Sequence, residues 1–243
     1  MLFRSGSSPH QRKEAPVTAT RTVHQPSREH MTSLPSLLKD SPCPEQILSQ
    51  RGYVHIAGVD EAGRGPLAGP VVAGAVLFPP GWTHPAIRDS KQLTEKQREQ
   101  LFEVISREAL SWNCAAVDHE EIDRINILQA SLKAMQAAVA SLSPAPDYLL
   151  IDGIHPIATQ LPQTPLVKGD RRSLATAAAS IMAKVTRDAI MKKYHEQYPR
   201  YNFARNKGYG TLEHFSAIAL YGLCPIHRKS FTRGAVVPAE GAP

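Results

Sequence analysis

Four acidic residues in this chain sit where apolar segments run out. Asp60 and Glu61 follow the run "YVHIAGV", Asp152 closes "DYLLID", and Asp188 lies late in "SLATAAASIMAKVTRD". Ligands in open α/β sheets collect at the carboxyl ends of strands, so the first three acids are expected in one neighbourhood. Neighbours in a regular strand point to opposite faces. Asp60 and Glu61 therefore reach one site only if the strand bends or ends at Glu61, which Gly63 and Gly65 permit. On the helix, Ser173, Ser180, Lys184 and Asp188 follow one another at offsets of 7, 4 and 4. At about 100° per residue they form a polar stripe roughly 80° wide on small, apolar surroundings. The stripe reads either as a solvent face, the plainer account of Lys184, or as the wall of a cleft, which the setting of Asp188 favours.

Converged carboxylates need compensation. Two like charges about 4 Å apart repel by roughly 4 kcal/mol at an effective dielectric of 20, and several such pairs would offset much of a typical stability of about 5–15 kcal/mol. Either some acids hold protons or divalent cations lie between them. Oxygen ligation without a His/Cys cluster points to Mg²⁺ or Mn²⁺ rather than Zn²⁺. Paired ions of this kind clamp both sides of an in-line phosphoryl displacement. A formal charge of +6 suits a polyanionic partner. The residues alone thus suggest metal-dependent cleavage of a phosphodiester, although acids at strand ends also cap helices and turns.

Which elements hold these groups follows from the pattern. "YVHIAGVD" (53–60) and "GPVVAGAVLF" (69–78) read as strands joined in a hairpin. Thr94 and Gln97 have capping-box spacing ahead of a helix to about Leu110. "NCAAVD" (113–118) reads as a third strand, and "INILQASLKAMQAAVASL" (125–142) as a helix stopped by Pro144. "DYLLID" (147–152) is a compact strand and "PLVKGD" a candidate further one, with a long helix over 173–195 and more helix after Thr211. This order describes one α/β domain with a mixed sheet.

The ends differ. Residues 1–50 are rich in Ser, Thr, Pro, His and Arg and read as a mostly disordered extension, with 51–233 as the folded domain and 234–243 as a flexible tail. The first thirty residues are Arg-rich and nearly acid-free, as in an organellar transit peptide; an ordinary extension, or a start at Met31, is the plainer reading. No apolar run approaches the roughly 20 residues of a membrane helix. Cys43, Cys114 and Cys224 lack any paired spacing and read as reduced thiols of a cytosol-like compartment.

The segments "GVDEAGRGPLAGPVVAGAV", "DSKQLTEKQRE", "LLIDG", "KGDRRSLATAAASIMAKVTRD", "NKGYGTLEH" and "PIHRKSF" occur in this order over roughly residues 52–232. The ordered set closely resembles ribonuclease HII, the bacterial type 2 ribonuclease H. The resemblance implies a ribonuclease H-like mixed five-stranded sheet flanked by helices, with a helical C-terminal extension. It also implies endonucleolytic hydrolysis of RNA in RNA–DNA hybrids and at ribonucleotides embedded in duplex DNA, leaving 5′-phosphate and 3′-hydroxyl ends. By motif, Asp60, Glu61, Asp152 and the more peripheral Asp188 match the catalytic and metal-binding carboxylates of Mn²⁺ or Mg²⁺, two ions with substrate bound. Gly63, Arg64 and Gly65 match the turn that meets the ribose 2′-hydroxyl and phosphate, and Tyr209 the residue that packs on the sugar. Lys91, Lys168, Ser180 and Lys184 are candidates for phosphate contacts or support. His214 and His227 are acid–base candidates by residue type, but packed or capping histidines on the plainer reading.

Two rivals differ in what they do. A junction-resolving nuclease of the same fold does not need to sense a 2′-hydroxyl, so "DEAGRG" and "KGYGT" weigh against it. A basic binding module would bind nucleic acid without product. The expected protein is a cytoplasmic monomer without a membrane partner; a sliding clamp or replication partner is left open.

Overall fold

A computed structural model describes residues 34–87 and 93–232. Residues 1–33, Lys91 and the expected tail 234–243 lie outside them. The sheet is built from β1 (Ile56–Ala62), β2 (Val71–Leu77), β3 (Ser111–Val117), β4 (Tyr148–Asp152) and β5 (Gln163–Leu166) in the order β3-β2-β1-β4-β5. β1, β2 and β3 pair antiparallel in sequence, whereas β4 and β5 add in parallel beyond β1. The mixed five-stranded sheet with flanking helices is the architecture the sequence implied, and the hairpin is its first two strands.

The long helix is α6 (Leu174–Gln197), preceded by α1 (Leu34–Asp40), α2 (Pro44–Gln50), α3 (Glu95–Glu108), α4 (His119–Ile125) and α5 (Ile127–Ala140). α7 (Phe203–Asn206) and α8 (Leu212–Tyr221) form the helical C-terminal region. Thr94 caps α3 in the expected box, accepting from the Gln97 N–H at 3.3 Å while the Gln97 side chain accepts from the Thr94 N–H at 2.8 Å.

α5 covers one face of the sheet, where Ala130, Ala134, Met135 and Ala138 meet Ala57, Val59, Ala73 and Ala75. α6 and α3 cover the other, through Ala175, Ala178, Met182, Leu101 and Ile105. The alanines of α6 let it lie very close to β1. A Cβ on Gly58 would stand 2.1 Å from the backbone of Ala175 and Thr176, so no other residue fits there. Among the described residues no helix is long and apolar enough to cross a membrane.

Three expectations need correction. Residues 34–50 are not a loose extension: α1 and α2 bury Leu34, Leu38 and Leu48 against Tyr53, Tyr148, Leu150 and Leu166. The apolar spacing within "SLPSLLKD" and "PEQILSQ" was outweighed by the composition around it. The helix expected over 125–142 is broken at Asn126, whose φ of 69° turns the chain and whose side chain caps α5. The strand placed at "PLVKGD" instead runs Gln163–Leu166, ending where Lys168 enters a left-handed turn with φ 56°.

Candidate active site

Asp60 lies in β1 on the face that carries Gly58 and meets α6; Glu61 follows it and Asp152 ends the parallel neighbour β4. Val59 pairs with Ile151, which puts the next residues of both strands side by side. Of the two ways for both acids to reach one site, a bend or an end of the strand at Glu61, the second does not occur, since pairing with β2 continues to Ala62 and Val72. The acids nevertheless act on one another. Burial first, then the charges of Glu61 and Asp152, push the Asp60 carboxyl well above the usual carboxylate range. Glu61 is also raised by burial, against the lowering effect of Arg64, with Asp152 adding to the rise.

Each carboxylate is turned to a nearby donor. Asp60 accepts from the Glu61 N–H at 2.7 Å, and the nearby Ser180 side chain favours its charged form. Glu61 pairs with Arg64 at 3.1 Å. Asp152 Oδ1 accepts from the Gly169 N–H at 2.6 Å. Asp188 accepts from Lys184 Nζ at 2.7 Å, one turn away on α6. Among the described residues, no group of three or more His, Cys, Asp or Glu side chains is arranged to hold a metal ion. The donor set is nonetheless suited to a hard divalent ion: it offers oxygens, burial disfavours both Asp60 and Glu61 as anions, the charge of Asp152 adds to this at both, and that of Glu61 adds to it at Asp60. A cation would relieve that repulsion.

A cleft of about 370 Å³ opens beside these acids, between Glu61, the Gly63–Gly65 turn, Ser180, Lys184 and Tyr209. Tyr209 is exposed, with Lys184 Nζ and the Arg187 guanidinium 6.0 and 5.9 Å from its ring. A Cβ on Gly65 would meet only Tyr209, at 3.8 Å, so this backbone faces open space across the cleft. Gly63 has a different constraint: its φ is 97° and a Cβ would lie 2.1 Å from Arg187 Nε. Asp188 stands apart, lining a small recess with Arg98, Glu99 and Lys192 rather than the cleft. Lys168 is the residue before the Gly169 turn.

Two residues escaped the sequence reading. Arg187 and Arg228 are fully buried, and each donates to backbone carbonyls instead of a carboxylate. Arg228 holds Gly63 O at 2.7 Å, Arg64 O at 3.0 Å and Gly69 O at 2.9 Å. Arg187 holds Ala68 O at 3.2 Å, Pro70 O at 2.9 Å and Lys207 O at 3.0 Å. Together they fix the turn from below. Burial, and then the neighbouring Arg187, lower Arg228 to about 9. The only hint in the sequence was an arginine inside an Ala-rich helix and another in "PIHRKSF".

His214 and His227 are packed histidines. Both are buried beside the rings of Tyr201 and Phe203. The Cys224 N–H donates to His227 Nδ1 at 2.9 Å, which places the His227 proton on Nε2. Nε2–H then donates to His214 Nε2 at 3.0 Å, and His214 donates through Nδ1 to Tyr209 O at 2.9 Å. The pair therefore reaches the cleft as an anchor of the Tyr209 backbone.

Known proteins resemble this chain. The family model described as Ribonuclease HII matches residues 57–234. A ribonuclease HII of Syntrophus aciditrophicus is 57% identical over 187 residues, covering 77% of this chain and 88% of that protein. One from Geobacter sp. (strain M21) is 59% identical over 183 residues, covering 75% and 80%. The crystal structure of ribonuclease H2 from Pyrococcus horikoshii superposes with a TM-score of 0.64 at 28% identity, covering 74% of this chain and 96% of that one.

Proposed function

Because this chain belongs to the ribonuclease HII family, we propose that its cleft receives an RNA–DNA junction beside Asp60, Glu61 and Asp152. The chain is a metal-dependent ribonuclease H, an endonuclease acting on the RNA of RNA–DNA hybrids. The finer reading is that it also cuts at single ribonucleotides embedded in duplex DNA and leaves 5′-phosphate and 3′-hydroxyl ends.

Asp60, Glu61 and Asp152 would hold Mn²⁺ or Mg²⁺, with Asp188 at the margin. The bound ions would supply Lewis-acid activation of water and neutralise charge on the phosphate. The rest falls to the protein. Arg64 exchanges Glu61 for a substrate phosphate, a charge-assisted contact of the same kind. Backbone groups of Gly63–Gly65, held by Arg228 while Arg187 fixes the Ala68 and Pro70 carbonyls beside them, meet the 2′-hydroxyl, which is both donor and acceptor. Tyr209 packs on the sugar from the opposite wall, while Ser180 orients Asp60. Lys184 and Lys168 add positive potential for the backbone.

The observation that carries this reading is the pairing of mutually repelling carboxylates with an open glycine turn facing an exposed tyrosine across one cleft. The test offers a duplex with one ribonucleotide beside an all-DNA duplex, with and without Mn²⁺. Metal-dependent cleavage of the first alone is expected; equal cleavage of both would remove the 2′-hydroxyl reading.

A further inference from the structure

We propose that α1 and α2 form a collar that positions the candidate site, with Glu45 and Arg172 as its positioning residues. The inference rests on the assignment of Asp152 and Asp60 made above. The family match begins at residue 57, so these helices precede it. They are nevertheless bound to the two segments that pack behind Asp60 and hold Asp152.

Glu45 grips the head of α6. Its Oε1 accepts from Ser173 Oγ at 2.7 Å and from the Ala175 N–H at 3.3 Å. A carboxylate at the start of a helix also complements the positive end of its dipole. That same first turn is the one packed against Gly58, two residues before Asp60 in β1. Ser180, which lines the cleft with Glu61 and favours the charged form of Asp60, lies further along the same helix. A shift of the α6 head would therefore move Ser180 against Asp60.

Arg172 grips the turn that holds Asp152. Its guanidinium donates to Ser41 O at 2.7 and 3.0 Å and to Leu38 O at 2.5 Å, satisfying carbonyls at the end of α1. Its own N–H donates to Gly169 O at 3.0 Å, closing the turn Gly169–Arg171. The Gly169 N–H is the donor that holds Asp152 Oδ1. The turn has little slack, because a Cβ on Gly169 would lie 3.3 Å from that same Oδ1. Leu34, Leu38 and Leu48 anchor the collar in the core, so it acts as a fixed brace.

The experiment compares Glu45→Ala, Glu45→Gln, Arg172→Met and Arg172→Lys in the full chain. It measures melting temperature, Mn²⁺ binding by calorimetry, hybrid binding, kcat and KM. Small displacements of reacting groups lower rates steeply, so Glu45→Ala and Arg172→Met should lower kcat on the order of tenfold while KM stays within about twofold. Mn²⁺ binding should weaken several-fold without substrate, and Glu45→Gln, which keeps an acceptor, should recover part of both losses. A lower melting temperature with unchanged kcat per folded molecule and unchanged Mn²⁺ binding would overturn the proposal. Should Glu45→Ala unfold at the assay temperature, Arg172→Lys supplies the same reading, since it keeps the charge but loses the fork. Asp152→Asn runs alongside: normal cleavage by it would sink the site assignment, whereas an inactive Asp152→Asn beside fully active collar variants would sink the collar alone.

Discussion

Lys184 and Asp188 are joined on consecutive turns of α6, with Nζ 2.7 Å from Oδ1. Lys184 lines the cleft and Asp188 the recess behind it, so the pair bridges the site and its margin. If Lys184 also faces a substrate phosphate, Lys184→Met should weaken hybrid binding and make its logarithmic salt dependence shallower by about one unit. Binding measured across a salt series checks this. An unchanged slope would confine Lys184 to its pairing with Asp188.

Arg228 holds the carbonyls of Gly63, Arg64 and Gly69 with its three donor nitrogens. Arg228→Lys keeps a charge but cannot reproduce the fork. The variant should lose stability by about 1–3 kcal/mol for carbonyls left without donors. Its preference for a ribonucleotide over a deoxynucleotide at the cleavage site should fall more than its binding of the hybrid. Denaturant unfolding and paired cleavage assays measure the two effects, and an intact preference would separate Arg228 from the turn's chemistry.

Acid should loosen the Tyr209 anchor. Burial foremost lowers His227 from 6.5 to about 4, and His214 is lowered as well. The charged groups acting on them are His119 and Glu213, with the Cys224 thiol alongside. Both histidines are neutral in the fold, so the unfolded chain binds more protons between those values. Their contribution is complete above the unfolded value of 6.5 and is lost as pH falls from there toward about 4. Between pH about 7 and pH about 5, the wild-type protein should lose on the order of 1–2 kcal/mol more than His227→Gln. Urea midpoints at the two pH values test it; parallel losses would show that the pair does not titrate on unfolding.

The contrast between what the sequence disclosed and what it hid has a physical pattern. Local signals were legible: short apolar runs marked β1, β2 and β4, the Thr94 box marked α3, and the small residues of α6 marked a close-packed helix. The candidate acids were legible because charge at the end of an apolar run is conspicuous. The anchors were not. Arg187, Arg228 and Glu45 act on groups far away in the chain, and Arg228 meets Gly63 across 165 residues. Such bonds have no periodicity, so beyond the Ala-rich setting of Arg187 and the segment that carries Arg228, little in a single sequence distinguishes these residues from solvated ones. The composition of residues 1–50 hid α1 and α2 for a related reason, since their few leucines matter only where Tyr148 and Leu166 await them.

The proposed reaction requires Asp60, Glu61 and Asp152 to share a divalent ion. Its most direct test is Mn²⁺ titration of the wild-type protein and Asp152→Asn, followed by cleavage of the one-ribonucleotide duplex. The wild type should bind Mn²⁺ and cut only with it, while Asp152→Asn should bind the hybrid, take up Mn²⁺ at least about tenfold more weakly and cut at least about a thousandfold more slowly, as expected when a group central to the chemistry is lost. Wild-type turnover and Mn²⁺ affinity in Asp152→Asn would contradict it.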